Sequence, residues 1–380
     1  MHIALIVCGV ISLFAWMYLL FAHGNFWRVA EQPAPARLTG SPTITVVIPA
    51  RNEADVIGRA LTSLLRQQLN ADLHIVLVDD NSADGTAEVA RRAAAAAGKS
   101  DSLTIVQGKP LPTGWSGKVW AQEQGVMKAL EFDPNYLLLT DADIEHAPDN
   151  LAILVAIAEN QGTDLTSFMA KLHCDSWFER WLIPAFVFFF FMLYPPAWVR
   201  DRKRSAAGAA GGCMLVRPAA LQNAGGIEAI KAKIIDDCAL ADAMKKTGSS
   251  LWLGPTNTAR SIRPYPSVSE IGRMISRSAF NQLRHSTLLL MGTIVGLAIL
   301  YLVPIAVLFS RSRLAIALGA ATFAIMLIAY IPMVRLYRLN YAWSLTLPAA
   351  AVFYMGATIH SAIRYWSGSG GLWKGRVQDR

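Results

Sequence analysis

The stretch Tyr136-Leu-Leu-Leu-Thr-Asp-Ala-Asp143 is an apolar run that ends on two carboxylates. A run this short reads as a buried strand. Its end places Asp141 and Asp143 at the carboxyl edge of a sheet, where open α/β sheets bind their ligands. Carboxylates there can hold a hard divalent cation, Mg²⁺ or Mn²⁺, and the cation can hold a diphosphate. Asp-x-Asp arises often by chance, so its meaning depends on what surrounds it.

Outward from this strand the chain alternates strands with helices. Thr43 to Ile48 predicts a first strand. The helix after it sets Val56, Ile57, Ala60, Leu61, Leu64 and Leu65 on one face. Leu73 to Val78 predicts a second strand, Thr86 to Ala97 an Ala-rich helix ended by Gly98, and Leu103 to Val106 a third strand. This alternation argues for an α/β fold with a mostly parallel, doubly wound sheet.

Each strand exit offers candidate ligand residues. In Val46-Val-Ile-Pro-Ala-Arg-Asn-Glu53, Pro49 is expected to stop ladder pairing and turn the backbone out of the sheet. Arg51, Asn52 and Glu53 then face the crevice or cap the next helix. Val78-Asp-Asp-Asn-Ser-Ala-Asp-Gly-Thr86 ends the second strand. There Asp80 is the ligand candidate, while Ser82 and Asp84 are expected to make the turn and cap the helix. Neither strand is followed by Gly-x-Gly-x-x-Gly or a P-loop, which argues against a dinucleotide oxidoreductase or an NTPase.

Leu111-Pro-Thr-Gly-Trp-Ser-Gly-Lys-Val-Trp-Ala121 is a glycine-punctuated loop with Trp115 and Trp120. Lys118, just before a helix, either reaches a phosphate or is a surface lysine on a turn. Exposed tryptophans in a loop call for a partner. Further on, Asp236 and Asp237 stand near a helix start in Ile234-Ile-Asp-Asp-Cys-Ala-Leu240. One can favour the helix dipole, and the other is a candidate general base. His146, His173 and His285 lack partners at ligand spacing and read as structural.

The 380 residues are 53% hydrophobic but only 16% charged, against roughly 25% charged for an ordinary soluble domain. The deficit points to membrane segments, and the net charge of +8 to anionic lipid head groups rather than nucleic acid. Cys8, Cys174, Cys213 and Cys238 show no paired spacing, so a disulfide framework or zinc site is not expected and a reducing compartment fits.

Ile3 to Ala22 is long enough to span a bilayer, and Arg28 and Arg37 beyond it place its C-terminal flank in the cytoplasm. The other reading of this segment is a cleaved signal peptide. Residues 24–43 then read as a Pro-rich linker. Residues 44–284 read as one α/β domain, interrupted at about 177–204 by an intensely apolar helix lying in the membrane interface or buried as core. In the interfacial reading Arg200, Arg202, Lys203 and Arg204 rest on head groups. Residues 285–366 form a membrane region with two clear spans and a third stretch, Ala342 to Ile363, that either crosses and leaves the tail outside, against the charge rule, or lies in the interface or re-enters and leaves it inside. Residues 367–380 are a basic tail.

The ordered set Val-Val-Ile-Pro-Ala-Arg-Asn-Glu, Val-Asp-Asp-Asn-Ser-x-Asp-Gly-Thr, Gly-Lys-x-x-Ala, Thr-Asp-Ala-Asp and Asp-Asp-x-x-Leu resembles the inverting family 2 glycosyltransferases of GT-A fold. The match covers roughly Ile44 to Gly254. Leu-Pro-x-Gly-Trp-x-Gly-Lys-x-Trp-Ala and the Trp-Lys-Gly-Arg tail look like membrane glycosyltransferases acting on lipids, similar to the hopene-associated group and, more distantly, ceramide glucosyltransferases.

The resemblance implies a nucleotide-diphosphate sugar donor, most simply a UDP-sugar, and a lipid acceptor. It implies that Pro49, Arg51, Glu53 and Asp80 hold base and ribose, that Asp141 contacts the nucleotide, that Asp143 holds the divalent cation with Asp141 beside it, and that Asp237 is the base. Lys118 is assigned to the donor, and Trp115, Trp120, Asp236 and Arg277 to the acceptor region. Related enzymes carry Gln-x-x-Arg-Trp, where Met274-Ile-Ser-Arg-Ser278 keeps only Arg277. The expected setting is the cytoplasmic (inner) membrane, multi-pass, with the catalytic domain in the cytoplasm. The rival readings are a processive polysaccharide synthase and a non-enzymatic nucleotide- or ion-binding membrane protein.

Overall fold

The computed structural model describes residues 2–29, 40–368, 372–373 and 376–377. Residues 30–39 of the linker expected at 24–43 and much of the basic tail, Lys374 and Arg380 included, lie outside them. The chain divides into two compact units. One takes residues 30–173, 198–263 and 372–380, and the other takes residues 1–29, 174–197 and 264–371.

The first unit is built on an eight-stranded sheet. Its strands are β1 (Thr43–Ala50), β2 (Asp72–Asp79), β3 (Leu103–Gln107), β4 (Tyr136–Leu139), β5 (Ile144–His146), β6 (Leu165–Lys171), β7 (Met214–Val216) and β8 (Leu251–Ser261), in the order β3-β2-β1-β4-β7-β6-β8-β5. β3, β2, β1 and β4 run parallel, as the alternation of strand and helix predicts. β7 pairs antiparallel with both β4 and β6, β6 and β8 are parallel, and β5 closes the far edge antiparallel to β8. The sheet is therefore mixed, and its second half departs from a doubly wound pattern.

β1 is an interior strand between β2 and β4, and its side chains alternate between two covers. Ile44, Val46 and Ile48 pack in one cluster with Ile57, Leu61 and Leu64 of helix Ile57–Leu65. All six residues predicted for that helix face are buried. The other face receives helix Gly117–Leu130 at Gly125, where an added Cβ would lie 2.4 Å from Val47 Cγ1 and 3.0 Å from Val78 Cγ2. Glycine is what lets this helix sit so close to the sheet.

Pro49 lies buried inside β1, and the β1–β2 register continues one residue beyond it, to Ala50 opposite Asp79. The expectation that Pro49 breaks the ladder is thus corrected. Ala50 O accepts from Asp80 N on the β2 side, so the adjacent Pro49 faces the β4 side, where pairing has already ended at Val47 opposite Leu139. The missing N–H has no partner to lose there.

The second unit is helical. Among the described residues, five helices are long and apolar enough to cross a membrane: Ile3–Phe21, Trp177–Arg200 (whose last residues belong to the first unit), Thr287–Leu308, Arg313–Leu336 and Tyr341–Trp366. Thr287–Leu308 contains a π-helical turn at Ala298–Leu302, followed by Pro304. Such a turn and a proline free backbone carbonyls, which must find donors where water is absent. Trp16 Nε1 donates to Leu300 O, four residues before Pro304, and Ser12 Oγ donates to Ile299 O, each at 2.7 Å.

Helix Trp177–Leu193 packs Phe188 on Phe26 and on Tyr330, and Leu182 O accepts from Tyr354 Oη at 2.8 Å. Its N-terminus is closed by a reciprocal box between Ser176 and Glu179. Glu179 also accepts from Tyr265 N at 2.9 Å. The helix is thus an integral part of the helical unit. Residues 264–284, expected to end the α/β domain, group with this unit as well.

Candidate active site

The carboxyl ends of β1, β2 and β4 present the expected residues, and side chains lock the strand exits to one another. Asn52 sits at φ 53° and Asn81 at φ 56°, a left-handed conformation that asparagine tolerates better than most residues. Asn52 N donates to Ser82 Oγ at 3.0 Å, Ala83 N to Asn52 Oδ1 at 2.9 Å, and Ala54 N to Asp84 Oδ2 at 2.9 Å. Asn52 therefore stitches two loops together rather than capping a helix. Asp84 accepts from Thr86 N, as its expected turn role requires.

Asp80 is fully buried at the end of β2. Arg51 Nη1 donates to Asp80 O at 2.6 Å and lies 3.4 Å from Asp80 Oδ2. Gly108 closes the loop behind it, since a Cβ there would stand 2.9 Å from Asp80 Cα.

The Asp-x-Asp carboxylates meet the Asp236–Asp237 pair through one cation. Lys118 Nζ lies 2.9 Å from Asp141 Oδ1 and 3.1 Å from Asp236 Oδ2. Lys118 is the second residue of helix Gly117–Leu130, not a loop lysine, and its side chain is only one-fifth exposed. Burial works against its charge, but Asp141, Asp236 and Asp237 outweigh it and hold the ammonium above the ordinary lysine value. Neither reading of Lys118 made from the sequence anticipated this bridge.

Asp236 opens helix Asp236–Lys246, but no side chain caps that helix, and the carboxylate turns to Lys118 instead. Asp237 accepts backbone N–H groups on both oxygens, from Gly211 at 2.8 Å and from Cys238 at 2.7 Å. Burial, reinforced by the charge of Asp236, pushes the Asp237 carboxyl up to about 6, against the opposing pull of Lys118 and the two N–H groups. A Cβ on Gly211 would lie 3.4 Å from both Asp237 Oδ2 and Lys118 Nζ. Thr140 Oγ1, just before Asp141, donates to Gly212 O at 2.7 Å. Gly211 and Gly212 are site residues the sequence reading missed, and the run of small residues at Ser205–Gly212 is the signal that marks them.

Asp143 is held from β8. Ser261 Oγ donates to its Oδ2 at 3.0 Å, and its main-chain O accepts from Ile262 N at 2.9 Å. Arg263, also unforeseen, reaches Asp143 Oδ2 at 3.7 Å, Asp55 Oδ2 at 3.3 Å and Glu53 Oε2 in a short ion pair. Burial, with the charge of Asp141 beside it, raises the Asp143 carboxyl above the usual carboxylate range.

Trp115 and Trp120 pack edge to face at 5.1 Å and are half-buried, so each is largely the other's partner. Trp120 Nε1 donates to Lys109 O. Arg277 is exposed at the end of helix Val268–Ser276 and belongs to the helical unit. His146 is structural as expected: it lies between Thr140 and Asn150, and burial pushes its imidazole down to about 3. A cavity of about 420 Å³ at the opposite ends of β1 and β4, lined in part by Asn135, Arg217 and Gln222, is separate from these carboxylates.

No group of three or more His, Cys, Asp and Glu among the described residues forms a ready metal cage. Mg²⁺ and its like do not need one, since they commonly take one or two carboxylates together with substrate phosphates. Among the described residues, Glu53, Asp55, Asp141, Asp143, Asp236 and Asp237 gather around Lys118 and Arg263, six acids about two cations. That surplus of carboxylate fits a divalent cation at Asp141 and Asp143.

Residues 45–225 match the family model described as glycosyl transferase family 2. The chain carries a domain of that family, and its mixed, mostly parallel sheet is the GT-A fold. It is similar to an undecaprenyl-phosphate 4-deoxy-4-formamido-L-arabinose transferase of Aeromonas hydrophila, with 31% identity over 140 residues, 36% of this chain and 40% of that protein. It is also similar to a 4,4'-diaponeurosporenoate glycosyltransferase of Staphylococcus aureus, with 37% identity over 102 residues, 27% of this chain and 24% of that protein. The chain thus spans well under half the length of these curated relatives. Among solved structures it resembles the mannosyltransferase PcManGT from Pyrobaculum calidifontis, in complex with GDP-Man and Mn²⁺, at a TM-score of 0.57 and 19% identity over 96% of this chain and 99% of that one.

Proposed function

We propose that this chain is an inverting glycosyltransferase that moves a sugar from a nucleotide-diphosphate donor, most simply a UDP-sugar, to a membrane lipid. The observation that carries the reading is the Lys118 bridge. It brings the Asp-x-Asp motif and the Asp236–Asp237 pair, nearly a hundred residues apart in sequence, into one site. Arg51 and Asp80, with Pro49 shaping the strand beneath them, form the floor for base and ribose. Asp141 and Asp143 hold Mg²⁺ or Mn²⁺, which supplies charge neutralisation at the leaving diphosphate.

Asp237 is the general base. It takes the proton from an acceptor hydroxyl as that oxygen attacks the anomeric carbon and the bond to the diphosphate breaks. A carboxyl near 6 is still ionised at neutral pH and is a stronger base than an ordinary aspartate. The carboxylate surplus around Lys118 favours a neutral hydroxyl over an anionic phosphate as acceptor. Hopanoid-like and sphingolipid-like lipids fit this chemistry. A polyprenyl acceptor, the class named for the Aeromonas relative, is the third candidate, and its phosphate would need less help from a base. Trp115, Trp120 and Asp236 remain assigned to the acceptor side.

We place the protein in the cytoplasmic membrane with its sheet on the cytoplasmic face. β6 precedes helix Trp177–Leu193, β7 comes after it, and the two strands pair directly. That helix therefore enters and leaves the membrane on one side, despite its length. Membranes containing the protein, incubated with a panel of radiolabelled nucleotide sugars and extracted for lipid, test the reading. Label is expected in the lipid fraction for the wild type and not for Asp237→Asn. Label in a growing polymer instead would favour a processive synthase.

A further inference from the structure

Arg263 is the second large cation of the site, and the reaction as described leaves it without a task. It is the last residue of the sheet unit before the chain passes at Pro264 into the helical one. Its guanidinium gathers three carboxylates from two strand exits: Glu53 and Asp55 after β1, and Asp143 after β4. A planar fork with several fixed donors suits this, where the single point charge of a lysine does not. Without it, three acids would face one another, and like charges repel at close range. Asp143 would then be free to swing with the exit loop of β1.

We propose that Arg263 is a positioning residue for the donor's cation. Together with Ser261 it fixes Asp143 through Oδ2 alone, at 3.7 Å and 3.0 Å, and neither contact uses Oδ1. The main-chain O of Asp143 is pinned separately by Ile262 N. Three consecutive residues of one strand end thus set the place of a carboxylate that lies far away in sequence. Arg263 makes the cation site by holding its ligand still, and it does not compete with the cation for that ligand. This inference rests on the assignment of Asp143 to the cation.

The test is Mn²⁺ binding by the full chain in detergent, followed by loss of the free-ion electron paramagnetic resonance signal, with UDP or with GDP present. The wild type should withdraw Mn²⁺. Arg263→Gln should weaken that binding by at least about tenfold, the scale on which supporting residues act on metal sites. Arg263→Lys should recover part of the loss, and Ser261→Ala should cost less than Arg263→Gln. Melting temperatures are recorded alongside. A lower melting temperature with unchanged Mn²⁺ affinity would make Arg263 merely structural and overturn the inference. Tighter Mn²⁺ binding by Arg263→Gln would make it a competitor and overturn it too. Failure of the wild type to bind Mn²⁺ with either nucleotide would remove the cation itself, and this inference with it.

Discussion

The two halves of the sheet differ in kind. β3, β2, β1 and β4 are parallel, and each leads through its exit to a polar loop. β7, β6, β8 and β5 are of mixed direction, and two of them are only three residues long. The parallel half presents Arg51, Asp80, Asp141 and Asp143. The mixed half supplies what holds the acids in place: Gly211 beside Asp237, and Ser261 and Arg263 against Asp143. In the proposed site one half binds and the other adjusts.

Three substitutions and two conditions sharpen this division. Asp143→Asn, which strikes where the halves meet, should have the largest effect, cutting turnover by roughly 10²–10³-fold, as loss of a preorganised charge does elsewhere. A chelator should mimic it in the wild type, with recovery on adding Mg²⁺ or Mn²⁺. Acid should come next. Because Asp237 works ionised and its carboxyl is raised to about 6, kcat/KM should be flat at neutral pH. It should fall about tenfold per unit as pH drops well below 6.

Lys118→Met should move that acid limb upward, because Lys118 holds the Asp237 carboxyl down. It should also cost about 2 kcal/mol of stability by stranding partly buried carboxylates. Gly125→Ala touches only the parallel half. Its new Cβ would meet Val47 Cγ1 at 2.4 Å, so a stability loss of about 1–3 kcal/mol is expected in denaturant titrations. The activity per folded molecule should be unchanged. A Gly125→Ala protein as stable as wild type would show that the helix can slide on the sheet.

The same division explains what the sequence disclosed. β1 to β4 were legible because each is a short apolar run between helices with a clean apolar face, as in Ile57–Leu65. β5 and β7 are too short to show a period. β8 carries Pro255 inside it, opposite a register shift in β6 that absorbs the irregularity. Asp141, Asp143 and Asp237 stood out because acids at element ends are conspicuous. Arg263 and Gly211 act only through pairing across the fold, which no local window contains. Lys118 was visible, but its partners were not. The tryptophans of the glycine-rich loop turned out to cover each other.

The central claim is that Asp237, not its neighbour, is the base in a site shared with Asp141 and Asp143. Single-turnover transfer by Asp237→Asn and Asp236→Asn, with nucleotide binding measured in parallel, tests it most directly. Asp237→Asn should bind nucleotide nearly as the wild type does and lose roughly 10²–10⁴-fold in turnover. Asp236→Asn, which releases Lys118 from one side and removes a charge beside Asp237 while leaving the base in place, should lose less than about tenfold. Full turnover by a folded Asp237→Asn protein, or the reverse order of the two losses, would contradict the account.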